Sequence, residues 1–206
     1  MSKSRSKSAA SDIGERRNTR GDQRRRRIFR SLHDCILEKG YVKTTLADVA
    51  QGADMSASHL LYYFKGKEDV LEQYFQNVSD QFVVQLATMR ELDPKDRIEA
   101  VGDFWFKGEA GTRKEIGFML ECFGAAVNDD VLRGTKAEFD LQCKEFLCEI
   151  FEAAPNLFMP SEKGAAELAY SMMIGLRSAV YFDPDIDLEG AHSLFLSTMH
   201  RMCGIT

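Results

Sequence analysis

The sequence predicts an all-α protein with about nine helices. Three observations point to this class. Only 4 prolines occur in 206 residues, no alternation of apolar and polar residues is long enough for a strand, and apolar residues recur at spacings of three and four along most of the chain. Hydrophobic residues make up 44% of the composition, which allows a sizeable core. The sequence contains no internal repeat.

The N-terminal end is rich in Ser, Arg and Lys and has almost no apolar side chains, so we expect a flexible basic arm over residues 1–23. No apolar stretch follows these charges, as a signal peptide would require. The first helix is predicted from Arg24 to Lys39, where apolar residues recur on one face. Gly40 follows as a typical C-terminal stop.

Two short helices separated by a tight turn are predicted next. The hydroxyl of Thr44 or Thr45 can cap the first, which ends near Gly52. Ser56 can cap the second, which extends to about Tyr63. Two such helices cannot form a core alone, so the helix before them must complete a tri-helical unit. In helix-turn-helix proteins a unit of this kind places its second short helix in the DNA major groove.

The remaining helices are longer. Glu68 and Asp69 suit the positive N-terminal end of a helix that extends to Arg90. Five more helices are predicted at 94–108, at 113–128, at 130–153, after the cap Ser161 through Phe182, and after the cap Asp187 through Met202. We therefore divide the chain into the arm (1–23), a helix-turn-helix domain (24–70, the head) and a larger helical domain (71–206, the body).

Charge is distributed unevenly along the chain. Residues 1–67 carry 15 Lys and Arg against 7 Asp and Glu, whereas residues 68–206 carry 12 against 25. A basic end on an acidic remainder is typical of nucleic-acid binding at that end, although a disordered tail on an acidic globule would give the same imbalance. Five cysteines without CxxC spacing favour a reducing cytoplasm, and neither a disulfide framework nor a zinc site. No apolar run is long enough for a membrane span, so we expect a cytoplasmic protein with no membrane partner.

Residues 40–71 resemble the N-terminal domain of TetR-family regulators. The matching positions extend over the whole stretch: Gly40-Tyr41, Thr44-Thr45-Leu46, Val49-Ala50, Ala53, Ser56, Leu60, Tyr62-Tyr63-Phe64, Lys65, Lys67-Glu68 and Val70-Leu71. Beyond Leu71 only the length and the helical content agree with that family. The resemblance implies a head that binds double-stranded DNA and a body that binds a ligand and forms a homodimer.

The resemblance also implies which residues contact DNA. The expected contacts to bases or phosphates are Thr44, Thr45, Ser56, Ala57, Ser58, His59, Tyr62, Tyr63 and Lys67. Arg24 and Arg27, from the arginine run that precedes them, are expected from their charge to follow the DNA backbone or to enter a minor groove. The alternative for each tyrosine is a packed ring with a solvated hydroxyl. The alternative for the arginine run is a solvated tail that attracts DNA without specificity.

Three positions depart from the family pattern. Asp54 stands where glycine is usual, and we expect a left-handed backbone there, which Asp tolerates better than most residues. Ser58 and Leu61 stand where glycine and an aromatic residue are common. Small side chains and one imidazole over residues 57–59 offer little direct base readout, so DNA shape should contribute to operator choice.

The body is expected to hold a ligand cavity. Residues 82–150 are rich in Phe, Met and Cys, a pattern that an ordinary core also produces, and the resemblance implies a largely apolar cavity there. Glu121 is the single charge in an apolar run, so it either binds a ligand or pairs with an arginine or a backbone amide. The candidate lining residues are Trp105, Met119, Glu121, Cys122 and Met173.

The last two helices are the candidates for a dimer seam. Apolar residues recur on both at helical spacing, and Gly175 would allow another helix to approach closely. A helix pair buried within one chain would show the same spacing, so this assignment depends on the family resemblance. The candidate seam residues are Leu168, Met172, Gly175, Leu176, Ala179, Leu194 and Met199.

These observations lead to one hypothesis and two alternatives. The hypothesis is a homodimeric repressor that binds a palindromic DNA operator, needs no cofactor, and is released by a small, largely apolar effector. The first alternative keeps the fold but makes the protein an activator or a DNA-organising protein. The second is a metalloenzyme, because Glu189 and His192 form an ExxH pattern. Di-iron helical bundles use that pattern in pairs, and this sequence has a single one.

Overall fold

A computed structural model describes residues 20–205 and gives this part of the chain nine α-helices and no strand. Their bounds are α1 Arg20–Lys39, α2 Leu46–Gly52, α3 Ala57–Leu60, α4 Lys67–Met89, α5 Pro94–Phe106, α6 Arg113–Val127, α7 Asp130–Glu152, α8 Glu162–Phe182 and α9 Leu188–Cys203. The all-α class and the order of helices are as predicted. The predicted arm, up to residue 19, lies outside the described residues.

Two helix ends differ from the prediction. The first helix begins at Arg20, so the last four residues assigned to the arm are helical. The second short helix ends at Leu60 rather than near Tyr63. There the amides of Tyr62 and Tyr63 bond to carbonyls three residues back, at 3.2 and 2.9 Å. These bonds tighten the chain into a turn instead of continuing the α-helix.

The head and the body share buried apolar surface. The head core is formed by side chains of α1 to α4, but residues of α6 and α7 complete it. The fully or nearly fully buried members are Ile28, Phe29, Leu32, Ile36, Val49, Ala50, Ala53, Leu60, Phe64 and Val70 from the head, with Leu71, Phe118, Cys122, Ala126 and Leu132 from the body. A movement of α6 is therefore transmitted to the head through direct packing.

A second cluster forms the core of the body. Helix α8 packs against α7 and α9, and α9 packs against α5. Large side chains with almost no exposed surface, among them Phe106, Phe146, Phe151 and Phe195, fill the space between them. This cluster holds the body together on the side away from the head, and it leaves the space between α4, α6 and α8 less completely filled.

The turn between the two short helices has the backbone predicted for it. Asp54 has φ 56°, the left-handed region that L residues rarely adopt. Substituting Asp54 by Gly should therefore leave the fold intact and change the free energy of unfolding by no more than about 1 kcal/mol, in the stabilising direction. Thermal unfolding of the two proteins measures this. A fall in Tm of several degrees would contradict it.

Candidate DNA-binding surface and ligand cavity

The first short helix begins with a complete capping box. The hydroxyl of Thr45 accepts from the Asp48 amide at 3.2 Å, and the Asp48 carboxylate accepts from the Thr45 amide at 2.8 Å. Lys39 lies 2.6 Å from the same carboxylate. Hydrogen bonds from Lys39 and Thr45 hold the pKa of Asp48 far below its usual range. Thr45 is exposed at the start of α2, but its hydroxyl also donates to this carboxylate.

The neighbouring Thr44 is placed differently. Its side chain is 1% exposed and its hydroxyl donates to the Gly40 carbonyl at 2.8 Å. A side chain that is buried and already bonded cannot reach a DNA phosphate. The prediction that Thr44 contacts DNA is therefore wrong, and the residue stabilises the connection between α1 and α2.

The second short helix presents an exposed surface. Ser56 caps it by accepting from the His59 amide at 3.1 Å. Ser58 and His59 are exposed, whereas Ala57 is half-buried and packs against the head core. Tyr62, just beyond the helix, is 82% exposed. The surface from Ser56 to Tyr62 is called the recognition surface below. Its outward position is the arrangement that base and phosphate contact requires.

The three basic residues expected to contact DNA are placed differently. Arg24 donates to the hydroxyl of Tyr63 at 3.1 Å, and Tyr63 is half-buried with its ring edge against Tyr62. Arg27 is exposed on α1. Lys67 donates to the Tyr41 carbonyl at 2.9 Å and its ammonium lies 4.2 Å from the Tyr41 ring centre. Lys67 therefore joins the first residues of α4 to the loop before α2. This hydrogen bond uses one of the three protons of its ammonium group.

A cavity of about 270 Å³ lies among α4, α5, α6, α7 and α8. Its wall is mostly aromatic or aliphatic, which is typical of a small-molecule site. Trp105, Met119 and Cys122, three of the five predicted lining residues, are part of this wall. The other aromatic side chains that line it are Tyr74, Phe75, Phe82, Phe104, Phe118, Phe123, Phe139 and Tyr170.

Two of the predicted cavity residues lie elsewhere. Glu121 is exposed on the outer face of α6, where its carboxylate accepts from the Tyr41 amide at 2.9 Å. It is paired with a backbone amide, which is the expected alternative to ligand binding. Met173 is 1% exposed and packs in the body core beside a void too small for a ligand. Neither residue lines the cavity, so both assignments are corrected.

An arginine that the sequence analysis missed lies in the cavity wall. Arg177 of α8 is 3% exposed, and its Nη1 donates to the carbonyls of Trp105 and Ala110. Burial lowers the pKa of Arg177 to about 10, and the nearby Glu115 carboxylate opposes that shift. The guanidinium therefore stays protonated at neutral pH. The sequence signal was a lone arginine in the otherwise apolar stretch of α8.

The two other charged residues of the cavity wall have partners. The Glu115 carboxylate forms a hydrogen bond with His33 Nε2, at 3.0 Å. Lys136 lies 2.5 Å from the Asp140 carboxylate, which also accepts from the Tyr170 hydroxyl. The charge of each is thus compensated by a neighbour of opposite charge or by a strong hydrogen bond.

Two carboxylates of α6 bond to the head. Glu115 faces the cavity and bonds to His33 of α1, and Glu121, further along the same helix, bonds to the amide of Tyr41. The same helix therefore lines the ligand cavity and bonds to the head at two points. These contacts add directional bonds to the shared apolar packing.

The His33–Glu115 pair makes a pH-dependent contribution to stability. The hydrogen bond with Glu115 raises the pKa of His33 above its usual value of 6.5. The contribution is therefore complete below pH 6.5 and is lost as the pH rises through the folded-state pKa. Substituting Glu115 by Gln should cost roughly 1 kcal/mol more at pH 5.5 than at pH 8.5. Urea unfolding at both values measures this, with exposed Glu109→Gln as control. An equal cost at both would contradict it.

The predicted seam residues differ in their exposure. Leu168 and Leu194 are about half exposed, and Gly175 is exposed with open space above its Cα. Met172, Leu176 and Ala179 are half-buried on α8. Met199 is fully buried in the body core, so it cannot contribute surface to a partner, and its assignment to the seam is corrected.

The tri-helical head with its exposed second short helix defines a helix-turn-helix regulator of transcription. The model of the bacterial regulatory proteins of the tetR family matches residues 28–74, and the C-terminal model of BetI-type transcriptional repressors matches residues 94–204. The chain belongs to the TetR family of transcriptional regulators.

Solved structures with this fold come from distant organisms. A transcriptional regulator from Rhodococcus sp. Rha1 has a TM-score of 0.76 at 17% identity, over 87% of this chain and 96% of that one. A TetR transcription regulator from Haloarcula marismortui has a TM-score of 0.75 at 15% identity, over 88% and 97%. A protein from Saccharomonospora viridis, described as a transcriptional regulator and solved in complex with choline, has a TM-score of 0.76 at 16% identity, over 87% and 96%. No curated protein matches the chain.

Two further features bear on the alternatives. Within residues 20–205, no group of three or more His, Cys, Asp and Glu side chains is placed to hold a metal ion. His192 of the ExxH pattern is largely buried and lies 2.8 Å from the Asp103 carboxylate.

Among the described helices none has the length and apolar character needed to cross a membrane.

Proposed function

We propose that the protein is a homodimeric repressor that binds a palindromic operator and is released by a small, largely apolar effector. The observation that carries the proposal is the coexistence of an exposed recognition surface in the head and an apolar cavity in the body, whose wall includes two residues of the head core, Phe118 and Cys122. A regulator of this kind needs both sites, and it needs a rigid element that joins them.

The recognition surface suits DNA because its exposed groups are small or polar. Ser58 and His59 would face the base edges, and the exposed hydroxyl of Tyr62 would donate to a phosphate. Exposed Arg27 and half-buried Lys67 would neutralise charge on the DNA backbone. Ala57, Ser58 and His59 offer few base-specific hydrogen bonds, so the operator would be selected partly through its shape and flexibility.

A dimer is needed because one small head binds DNA weakly. The half-exposed leucines of α8 and α9, with the open space above Gly175, provide an apolar surface on the side of the body. Two copies joined there by a two-fold axis would present two heads to one face of the duplex, at roughly 34–36 Å or a related spacing.

Release would follow from a movement of α6 and α4. A ligand that enters the cavity contacts Phe118 and Cys122, which also belong to the head core. Displacement of α6 would shift His33 and Tyr41 through their bonds to Glu115 and Glu121. The two heads would then no longer match successive major grooves. The ligand changes operator affinity only by the ratio of its affinities for the two states.

Selection of duplexes from a random library by the purified full chain at low ionic strength tests the proposal. We expect enrichment of an inverted repeat, and two chains per duplex by sedimentation. An enriched sequence without two-fold symmetry, or no enrichment at all, would refute it. The complex of the Saccharomonospora viridis protein with choline supports the general point that this fold holds a small molecule. An activator would pass the same selection, so reporter transcription with the selected operator decides the sign of regulation.

The basic arm contributes a separate prediction. Lys3, Arg5, Lys7, Arg16 and Arg17 precede the first described helix. Deletion of residues 1–19 should flatten the plot of log affinity against log salt concentration by nearly one unit for each phosphate that the arm neutralises. Anisotropy titrations at several salt concentrations measure the slope. If the slope does not change, the arm binds no phosphate.

A further inference from the structure

Arg177 differs from every other buried charge of the described chain. Its guanidinium is almost completely buried, it lines the cavity, and residues 20–205 provide it with no ion pair. Both of its hydrogen bonds start from Nη1 and end on neutral carbonyls, those of Trp105 and Ala110. The Nε atom is buried without a partner. A buried cation without an anion carries a large desolvation cost.

No group of the described cavity wall forms an ion pair with it. Glu115 is the one carboxylate in that wall; it lies near enough to favour the charged guanidinium, but its hydrogen bond goes to His33 at 3.0 Å. The second cation, Lys136, has its own carboxylate in Asp140. Arg177 is therefore the one charged residue of the described wall that has neither an ion pair nor a hydrogen bond to a charged group, and it borders a largely apolar space.

One nitrogen of the Arg177 guanidinium remains for an anion. Nη1 is bonded and Nε is buried, whereas Nη2 has no hydrogen bond to residues 20–205 and can donate to a carboxylate oxygen. Nη1 is held by two carbonyls, which fix the plane of the group. A carboxylate that entered the cavity would restore the interactions that burial removed from the guanidinium.

Two rings of the aromatic wall already lie beside cations of the protein. Arg177 lies 5.4 Å from the Trp105 ring centre, and Lys136 lies 4.3 Å from the Phe123 ring centre. These ring faces, which would attract a ligand cation, already bind cations of the protein. A quaternary ammonium group would also be placed close to two fixed positive charges, which disfavours it relative to an anion.

We propose that the cavity binds an apolar monocarboxylate, an acid with an aryl or medium-length alkyl body, through Nη2 of Arg177. This inference rests on the proposed function, since it names the chemical class of the effector. A cavity of about 270 Å³ lies near the lower end of the roughly 300–1,000 Å³ range of small-molecule sites. A single ring with a short chain, or an alkyl chain of moderate length, suits that size.

Three probes that share one apolar body test the proposal: 4-phenylbutyrate, 4-phenyl-1-butanol and (4-phenylbutyl)trimethylammonium. Trp105 is the only tryptophan of the chain and lies in the cavity wall, so its fluorescence reports binding directly. The carboxylate should bind at least about tenfold more tightly than the alcohol or the ammonium. If either of these binds as tightly as the carboxylate, or if no probe changes the fluorescence at millimolar concentration, the proposal is wrong.

Variants of two arginines separate charge in the cavity from charge elsewhere. Arg177→Gln should raise the Kd of 4-phenylbutyrate at least about tenfold and leave the Kd of the alcohol nearly unchanged. Exposed Arg113, which donates to the Tyr181 carbonyl outside the cavity, is the matched control. Arg113→Gln should change neither value by more than about twofold. An unchanged carboxylate Kd in Arg177→Gln would overturn the assignment. The comparison of the three probes on the unmodified chain needs no variant, so it decides even if Arg177→Gln does not fold.

The same probes distinguish this inference from the proposed function. If 4-phenylbutyrate binds with the expected preference but leaves the operator complex intact, the carboxylate site stands and release by an apolar effector fails. If (4-phenylbutyl)trimethylammonium binds more tightly and releases the operator, effector release stands and the carboxylate site fails.

Discussion

Replacing Ser58 by glutamate is expected to weaken operator binding by about 100-fold or more. Ser58 is exposed on α3, in the middle of the recognition surface, so the new carboxylate would face phosphates and base edges rich in acceptors. Like charges brought together at an interface cost several kcal/mol, and about 1.4 kcal/mol corresponds to a factor of ten. Both heads of a dimer carry the change. Fluorescence anisotropy with the selected duplex measures the loss.

An alanine on the body provides the matched control. Ala137 is exposed on α7, so Ala137→Glu adds the same charge far from the recognition surface. It should change operator affinity by no more than about threefold, through the general field of the protein. Retained binding by Ser58→Glu, or an equal loss in both variants, would contradict the placement of DNA against α3.

Truncating Leu60 to alanine is expected to destabilise the protein by about 2–5 kcal/mol. Leu60 is fully buried at the centre of the head core, on the side of α3 opposite to the recognition surface. Its removal leaves a cavity in addition to the lost transfer free energy. Because head and body share buried surface, this loss should lower the midpoint of a single unfolding transition rather than release the head alone.

The adjacent residue tests whether this effect depends on burial. Leu61 has the same side chain but is 52% exposed, so Leu61→Ala should change the free energy of unfolding by no more than about 0.5 kcal/mol. Urea unfolding followed by circular dichroism compares the two variants. Similar losses for Leu60→Ala and Leu61→Ala would mean that α3 is seated differently on the head.

Local signals predicted the head well. Hydroxyl caps, the acidic start of α4 and the left-handed position at Asp54 are decided by residues close in sequence, and the structure confirms Thr45 and Ser56 as caps. Thr44 and Thr45 could not be separated in this way. Both can cap a helix, and only the packing of α1 against α2 determines that Thr44 is the buried one.

The cavity was predicted less completely, because it depends on which helix covers which face. Glu121 lies in an apolar run of sequence, but each residue of a helix turns by about 100°. It therefore emerges on the outer face of α6, while Met119 and Cys122 face inward. The surroundings of Arg177 and Met199 could not be predicted for a different reason. Periodicity marks the inner face of α8 and α9, but it does not distinguish a partner subunit, a cavity or the core of the same chain.

The double role of one face of α6 has a consequence for genetics. Phe118 and Cys122 lie in the head core and also in the cavity wall. For a ligand-released repressor as proposed, alleles that prevent induction and alleles that abolish repression should therefore be recovered at the same few codons, and a single change there would alter both phenotypes. Alleles that separate the two would be found at Ser58 and Arg177, because each belongs to one site only.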